Sequence, residues 1–289
     1  MNMKPKSAAH NNLLFGVDGS DASLHAFREG ARLAGGDGRL VAVSVAPKYN
    51  GDLRLLGVQD VGKLIRQPCD AALSRCETAA RDAGVAVKTI CAMGQPYARL
   101  IELAEEENSD LIIIGAKGLT SLKYTSLGSV ARKVIGFTSK DVLVVPYGAR
   151  VGWQHILLAT DLSANSEGAE NRALEMALTY ESKLTIISVL ELPTCLYGEV
   201  GELGCSIPPD RSRILENLQN KASSWGISAE TVVKRGESSR SIVESAKDLG
   251  AEVIVMGSHG RTGLTRLLMG SITEKVIGSA VCPVLVVKG

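Results

Sequence analysis

Two glycine brackets at a fixed interval constrain this chain more than any other feature. Gly115, Gly118, Gly128 and Ser129 follow the pattern Gly-x2-Gly-x9-Gly-Ser, and Gly257, Gly260, Gly270 and Ser271 repeat it. Each member of the second set lies 142 residues after its counterpart, and the two VLVV segments at 142–145 and 284–287 keep that interval. LLFGVDGS around Asp18 and ILLATDLS around Asp161 stand 143 apart. Self-similarity at this period means one module used twice. A length of 289 residues also suggests two domains. The expected modules are 1–147 and 153–289, joined through the stretch GARVG from Gly148 to Gly152.

Each module alternates short aliphatic runs with helical patterns. In the first, strands are expected over Leu13–Val17, Val41–Val45, Val85–Cys91, Leu111–Ile114 and Val142–Val145. Helices are expected from a Ser20 cap towards Gly35, from Pro68 to Ala83, from Pro96 to Glu107 and from Ser129 through Ile135. The two prolines are placed at first turns, where their missing N–H does no harm. The second module repeats the scheme, with strands near 155–160, 184–190, 229–234, 252–256 and 284–287. Continuous Val/Ile/Leu strands are buried on both faces, and alternating helices make the sheet parallel. The expected fold is therefore α/β, two tandem doubly wound five-stranded parallel sheets, each in the order 3-2-1-4-5. Aromatic residues make up only 4% of the chain, so the core must be aliphatic.

In that order a crevice opens between the first and fourth strands, at their carboxyl ends. Asp18 and Asp161 end first strands, while Gly115 and Gly257 end fourth strands. Residues far apart in sequence thus meet at one place. Gly115 and Gly118 allow a sharp turn and close approach of a ligand to the backbone. Gly128 and Ser129 then open a helix whose first N–H groups have no partner within it, which suits phosphate. Gly257, Gly260, Gly270 and Ser271 do the same. Lys117 and Lys123 in one copy, and His259, Arg261 and Arg266 in the other, could offset phosphate charge. The aspartates would repel phosphate and belong at the base or ribose end. The bland alternative is that the glycines serve only tight turns. No GxxxxGK[ST] is present, and no GxGxxG follows the first strand, which excludes P-loop and Rossmann readings.

Composition narrows the class further. The net charge is +1, without a basic block, which argues against nucleic acid or a membrane surface as partner. The longest acidic run, Glu105–Glu107, is read as a solvated helix face. There is no apolar stretch behind Lys4 and Lys6 and no run long enough to span a membrane. A cytoplasmic location and six reduced cysteines are expected. Cys69 and Cys76 would share a packed helix face, Cys195 and Cys205 lie in one loop, and no metal site is expected.

The glycine brackets, the two aspartates, the terminal VLVV strands and the segment MGSHGRTGLTRLLMGSITEKVIGSAVCPVLVVK resemble the universal stress protein family, twice over, beyond a loose N-terminal tail. The resemblance implies an adenine nucleotide alpha hydrolase-like fold and ATP, or ADP or AMP, as ligand, with Mg2+ accompanying ATP. It implies that Asp161 and the backbone of Ala159 and Val189 hold adenine and ribose. Gly257, Gly260, Gly270, Ser271 and Ile272 would hold ribose and phosphates. The matching first-module set is Asp18, Gly16, Val45, Gly115, Gly118, Gly128, Ser129 and Val130. The first module departs at Lys117 (His259 in the second), Ala131 (Thr273) and Lys140-Asp141 (Cys282-Pro283). The resemblance also implies pairing of Val142–Val145 with Val284–Val287 as an intramolecular pseudo-dimer, with a homodimer beyond it. The leading functional expectation is an ATP-binding regulator of the stress response with an unidentified protein partner and no catalytic residues. The alternatives are slow ATP hydrolysis or self-phosphorylation, with His259 near the terminal phosphate, and an interaction module with vestigial sites whose long loops at 47–66 and 191–209 carry function.

Overall fold

The computed structural model describes residues 11–34, 38–48, 60–119, 127–191, 208–260 and 269–288. His10, Lys123, Cys195, Cys205, Arg261, Arg266 and most of the two long loops lie outside the described residues. The chain divides into two compact units, His10–Val151 and Gly152–Gly289.

In the first unit the elements are β1 (Asn12–Gly16), α1 (Asp21–Ala34), β2 (Arg39–Ala46), α2 (Val61–Asp82), β3 (Val87–Met93), α3 (Pro96–Glu106), β4 (Leu111–Gly115), α4 (Ser129–Phe137) and β5 (Asp141–Val145). Every ladder within it is parallel, in the order β3-β2-β1-β4-β5. In the second unit they are β6 (His155–Ala159), α5 (Glu167–Tyr180), β7 (Lys183–Leu190), α6 (Pro209–Ser224), β8 (Ala229–Arg235), α7 (Ser238–Asp248), β9 (Val253–Gly257), α8 (Ser271–Ser279) and β10 (Val284–Val287). Its ladders are parallel in the order β8-β7-β6-β9-β10, the same order as in the first unit.

The aliphatic runs became strands because both faces are covered. Leu14, Ile112 and Leu143 are fully buried in the first unit, as are Leu157, Ile254 and Leu285 in the second. Phe15 packs edge-on against Phe27, with ring centroids 4.9 Å apart. Gly30 makes room for that pair, since a Cβ there would come 2.4 Å from the Phe15 ring. Ser20 caps α1 as expected, its Oγ accepting from the Ser23 N–H at 3.2 Å.

Several expectations need correction. Helix α2 starts seven residues before Pro68, which lies inside it. The Asp60 carboxylate accepts from the Lys63 N–H at 2.9 Å, so the helix has a side-chain cap that outweighs the proline as a start signal. Strand β3 begins at Val87 rather than Val85, because Gly84 takes a left-handed φ of 69° and the Val85 N–H bonds back to Ala80 O at 3.0 Å. The cysteines are not all free: Cys69 on α2 is joined to Cys91 on β3, while Cys76 and Cys282 are buried thiols. Packing of α2 over β3 brings the two Cα atoms to 6.0 Å, within bridging range. Burial pushes the Cys76 thiol up to about 12. The acidic run is not merely solvated. Glu107 receives Arg39 at 2.6 Å and Lys88 at 2.7 Å, and Glu105 pairs with Lys140 at 3.1 Å. Among the described residues no helix is long and apolar enough to cross a membrane.

Candidate functional site

Each unit opens a cavity of about 790 Å³ at the carboxyl ends of its strands. The first is lined by Gly16, Asp18, Val45, Gly115, Gly118, Gly128, Ser129 and Val130. The second is lined by Ala159, Asp161, Val189, Gly257, Gly260, Gly270, Ser271 and Ile272. All the sequence-derived site residues therefore gather at the two switch points. Lys117 lines the first cavity and His259 the second.

The floor of each cavity is a helix start. Gly128 occupies the N-cap position of α4 and Gly270 that of α8, and neither helix has a side-chain cap. The Gly128 N–H closes the loop by donating to Ala116 O at 3.0 Å, and the Gly270 N–H donates to Ser258 O at 2.9 Å. The first intrahelical bonds are those of Arg132 to Gly128 O and Glu274 to Gly270 O, each at 3.0 Å. The amides of the three residues before each donor face outward at the positive end of the helix, the arrangement that binds anions. Cβ atoms at Gly128 and Gly270 would meet nothing closer than 3.5 Å and 3.4 Å respectively. These glycines are thus not demanded by packing.

Across the gap the aspartates do something the sequence did not reveal. Asp18 Oδ1 accepts from the Ser20 N–H at 3.0 Å and from the Ser20 hydroxyl at 2.6 Å, while Oδ2 accepts from the Leu119 N–H at 2.9 Å. One carboxylate therefore latches the loop after β4 to the end of β1. Burial alone would raise its pKa, but the bonds from Ser20, Leu119 and Ser23 outweigh it and hold the carboxyl below the ordinary aspartate value. Gly118 is required at this latch, because a Cβ there would stand 2.5 Å from Oδ2. Asp161 repeats the local half, accepting from the Ser163 N–H at 3.1 Å and its hydroxyl at 2.7 Å. A Cβ on Gly260 would come 3.0 Å from Asp161 Oδ2. Asn165 adds a second tie, donating to Gly260 O at 3.0 Å. A carboxylate offers about four lone-pair sites, so Asp18 keeps capacity for a ribose hydroxyl or a base donor. The Asp-x-Ser spacing was visible in both modules and is the signal for this turn.

The residue between the aspartate and the serine is left-handed in both modules. Gly19 has φ 85° and Leu162 has φ 61°, the latter a strained conformation for a side-chain-bearing residue. A polar set missed in the sequence lies beneath it. Thr160 Oγ1 donates to Glu170 at 2.6 Å, and Ser166 Oγ sits 2.9 Å from the same carboxylate oxygen. Thr273 Oγ1 ties the first turn of α8 to Gly257 O at 3.0 Å, a bond Ala131 cannot make in the first module.

The rims differ. Leu64, Ile65, Pro68 and Cys69 of α2 wall the first cavity, with Pro47 and Leu100. The corresponding wall of the second is polar, from Glu191, Arg211, Glu237 and Lys275. No group of three or more His, Cys, Asp or Glu that could hold a metal occurs among the described residues.

A parallel sheet with a glycine-bounded helix start at each switch point defines the class of doubly wound α/β modules. The sequence profile of the universal stress protein family matches residues 10–146 and again 152–288, so the chain belongs to that family as a tandem member. It is 30% identical over 177 residues to a universal stress protein of Methanocaldococcus jannaschii, covering 59% of this chain and 94% of the relative. A second protein of that organism is 37% identical over 156 residues, covering 48% of this chain and 96% of its own. Among solved structures, a universal stress protein from Archaeoglobus fulgidus superposes with a TM-score of 0.73 at 21% identity, covering 96% of this chain and 98% of that one. The likeness at this identity is one of fold.

Proposed function

We propose that this chain is a nucleotide-binding regulator of the stress response that holds ATP, or ADP or AMP, in the crevices of its modules. The observation that carries this is the pair of uncapped helix starts at Gly128 and Gly270, each facing a lined cavity of about 790 Å³ with an engaged aspartate opposite. In this reading the amides of Ser129, Val130 and Ala131, and of Ser271, Ile272 and Thr273, receive the phosphates. Gly16, Val45 and Asp18, with Ala159, Val189 and Asp161, flank base and ribose. Mg2+ accompanies ATP on the phosphate oxygens. Regulation follows from a bound state and an empty state that differ for a protein partner. Self-association as a homodimer belongs to the same reading and is tested by light scattering during size-exclusion chromatography.

The decisive experiment is calorimetric titration of the full chain with ATP, ADP and AMP, with and without Mg2+, alongside mass spectrometry of nucleotide released from freshly denatured protein. Saturable binding supports the proposal; no heat and no nucleotide at millimolar ligand overturns it. Phosphate release that depends on His259, lost in His259→Ala, would replace it with the hydrolytic alternative. His259 Nδ1 lies 3.2 Å from the Ser258 hydroxyl.

A further inference from the structure

The two cavities differ where a purine base would lie. In a parallel ladder the main-chain groups of alternate residues point to opposite neighbours. Val43 O accepts from the Val17 N–H at 2.9 Å and Ile187 O from the Thr160 N–H at 3.0 Å, so these residues face β1 and β6. Ala46 O and Leu190 O accept from Gly94 and Gly236 at 2.9 and 3.1 Å, on the opposite side. Val45 and Val189, two residues beyond Val43 and Ile187, therefore turn their N–H and C=O into the crevice, where β1 and β6 have already ended. A main-chain N–H beside a C=O matches the adenine edge, whose N1 accepts and whose 6-amino group donates. Guanine presents the reverse, an O6 acceptor beside an N1–H donor.

In the first module the described residues that line the cavity with Val45 include Pro47, Leu64, Ile65 and Pro68, none of which carries a side-chain donor or acceptor. In the second, Arg211 Nη1 donates to Val189 O at 3.4 Å, and Glu191 stands at the place of Pro47. One of the two lone pairs of the carbonyl that would receive an adenine amino group is thus taken by a guanidinium. That guanidinium brings only further donors. Donors from Arg suit the O6 and N7 of guanine, and a carboxylate accepts from its N1–H and 2-amino group. Glu191 is held for this at the start of α7, accepting from the Ser238 N–H at 3.3 Å.

We propose that the second cavity selects a 6-oxopurine nucleotide of the guanine type through Arg211 and Glu191, while the first selects adenine. This rests on the reading of both crevices as nucleotide sites. The chain would then respond to two nucleotide pools at once.

The test uses the full-length chain. Native mass spectrometry with equimolar ATP and GTP should give one ATP and one GTP bound per chain as the main species. Calorimetry on Gly128→Trp, which fills the first cavity, should show GTP binding roughly 10- to 100-fold tighter than ATP, the range of a good Arg–guanine contact. Arg211→Leu in that background should abolish or invert the preference. Two ATP per chain in the mixed sample, or a preference unmoved by Arg211→Leu, overturns the assignment while leaving nucleotide binding intact. If the parent takes up neither ATP nor GTP, the nucleotide reading itself fails, and this inference with it.

Discussion

The latch between Asp18 and the loop after β4 can be tested with a single methyl group. In Gly118→Ala the new Cβ stands 2.5 Å from Asp18 Oδ2. Ordinary contact requires the carboxylate to retreat by roughly half an ångström to one ångström. Its 2.9 Å bond from the Leu119 N–H then stretches beyond useful length. Hydrogen bonds to charged groups contribute about 1.5–3 kcal/mol, and Asp18 is open to solvent on the crevice side, so the lower end applies. A loss of about 1.5 kcal/mol in ordering the loop corresponds to an approximately tenfold weaker grip on ATP at the first site. Calorimetry in a Gly270→Trp background isolates that site. Gly128→Ala is not a matched control, since its methyl would meet Ala116 O at 3.5 Å and not the carboxylate; the matched control is Asp18→Ala. Once the carboxylate is gone, adding Gly118→Ala should change affinity by less than a factor of two, a strongly non-additive cycle. An equal penalty for Gly118→Ala with and without Asp18, or no penalty in either, would refute the latch.

Other consequences are as direct. The Asp18 carboxyl is held below its ordinary value of 3.8, so its contribution is complete above that value and disappears as pH falls through the folded-state value. First-site affinity should therefore be flat from neutral pH down to about 5 and decline only in stronger acid, a decline absent in Asp18→Asn; steady loss between pH 7 and 5 would contradict this. The Cys69–Cys91 bridge closes a span of 22 residues, which gives about 3 kcal/mol from loop-closure entropy. Cys69→Ser, or added dithiothreitol, should lower the urea midpoint of the first module; a midpoint unmoved by dithiothreitol would count against the bridge. Gly270→Trp should abolish nucleotide uptake at the second site while the far-ultraviolet circular dichroism stays that of the parent, because Gly270 lines the cavity and a Cβ there makes only ordinary contacts, the nearest at 3.4 Å; retained binding at that site would displace the nest from the account.

Much of this architecture could be read from the residues because local and global signals agreed. Ile112–Ile114 and Val284–Val287 are short runs rich in β-branched residues, of the kind buried strands use, and the glycine brackets fell between strand and helix in both copies. What escaped depended on neighbours distant in the chain. Pro68 looked like a helix start because the Asp60 cap precedes it by two turns. Cys69 and Cys91 gave no spacing motif, since only the docking of α2 on β3 brings them together. Glu107 appeared solvated because Arg39 and Lys88 reach it from two other strands. The approach of Arg211 to Val189 depends on where α6 lies against the end of β7, which no sequence window contains.

Asp18 is already satisfied by Ser20 and Leu119 before any ligand arrives. If a nucleotide binds here as proposed, its departure would strand no bare charge in the protein and need not unravel the loop. A structural cofactor is kept because its loss is ruinous, whereas such an occupant could come and go with its seat still standing. Vacancy would then be as legitimate a message as occupancy, which is what a gauge of changing supply requires.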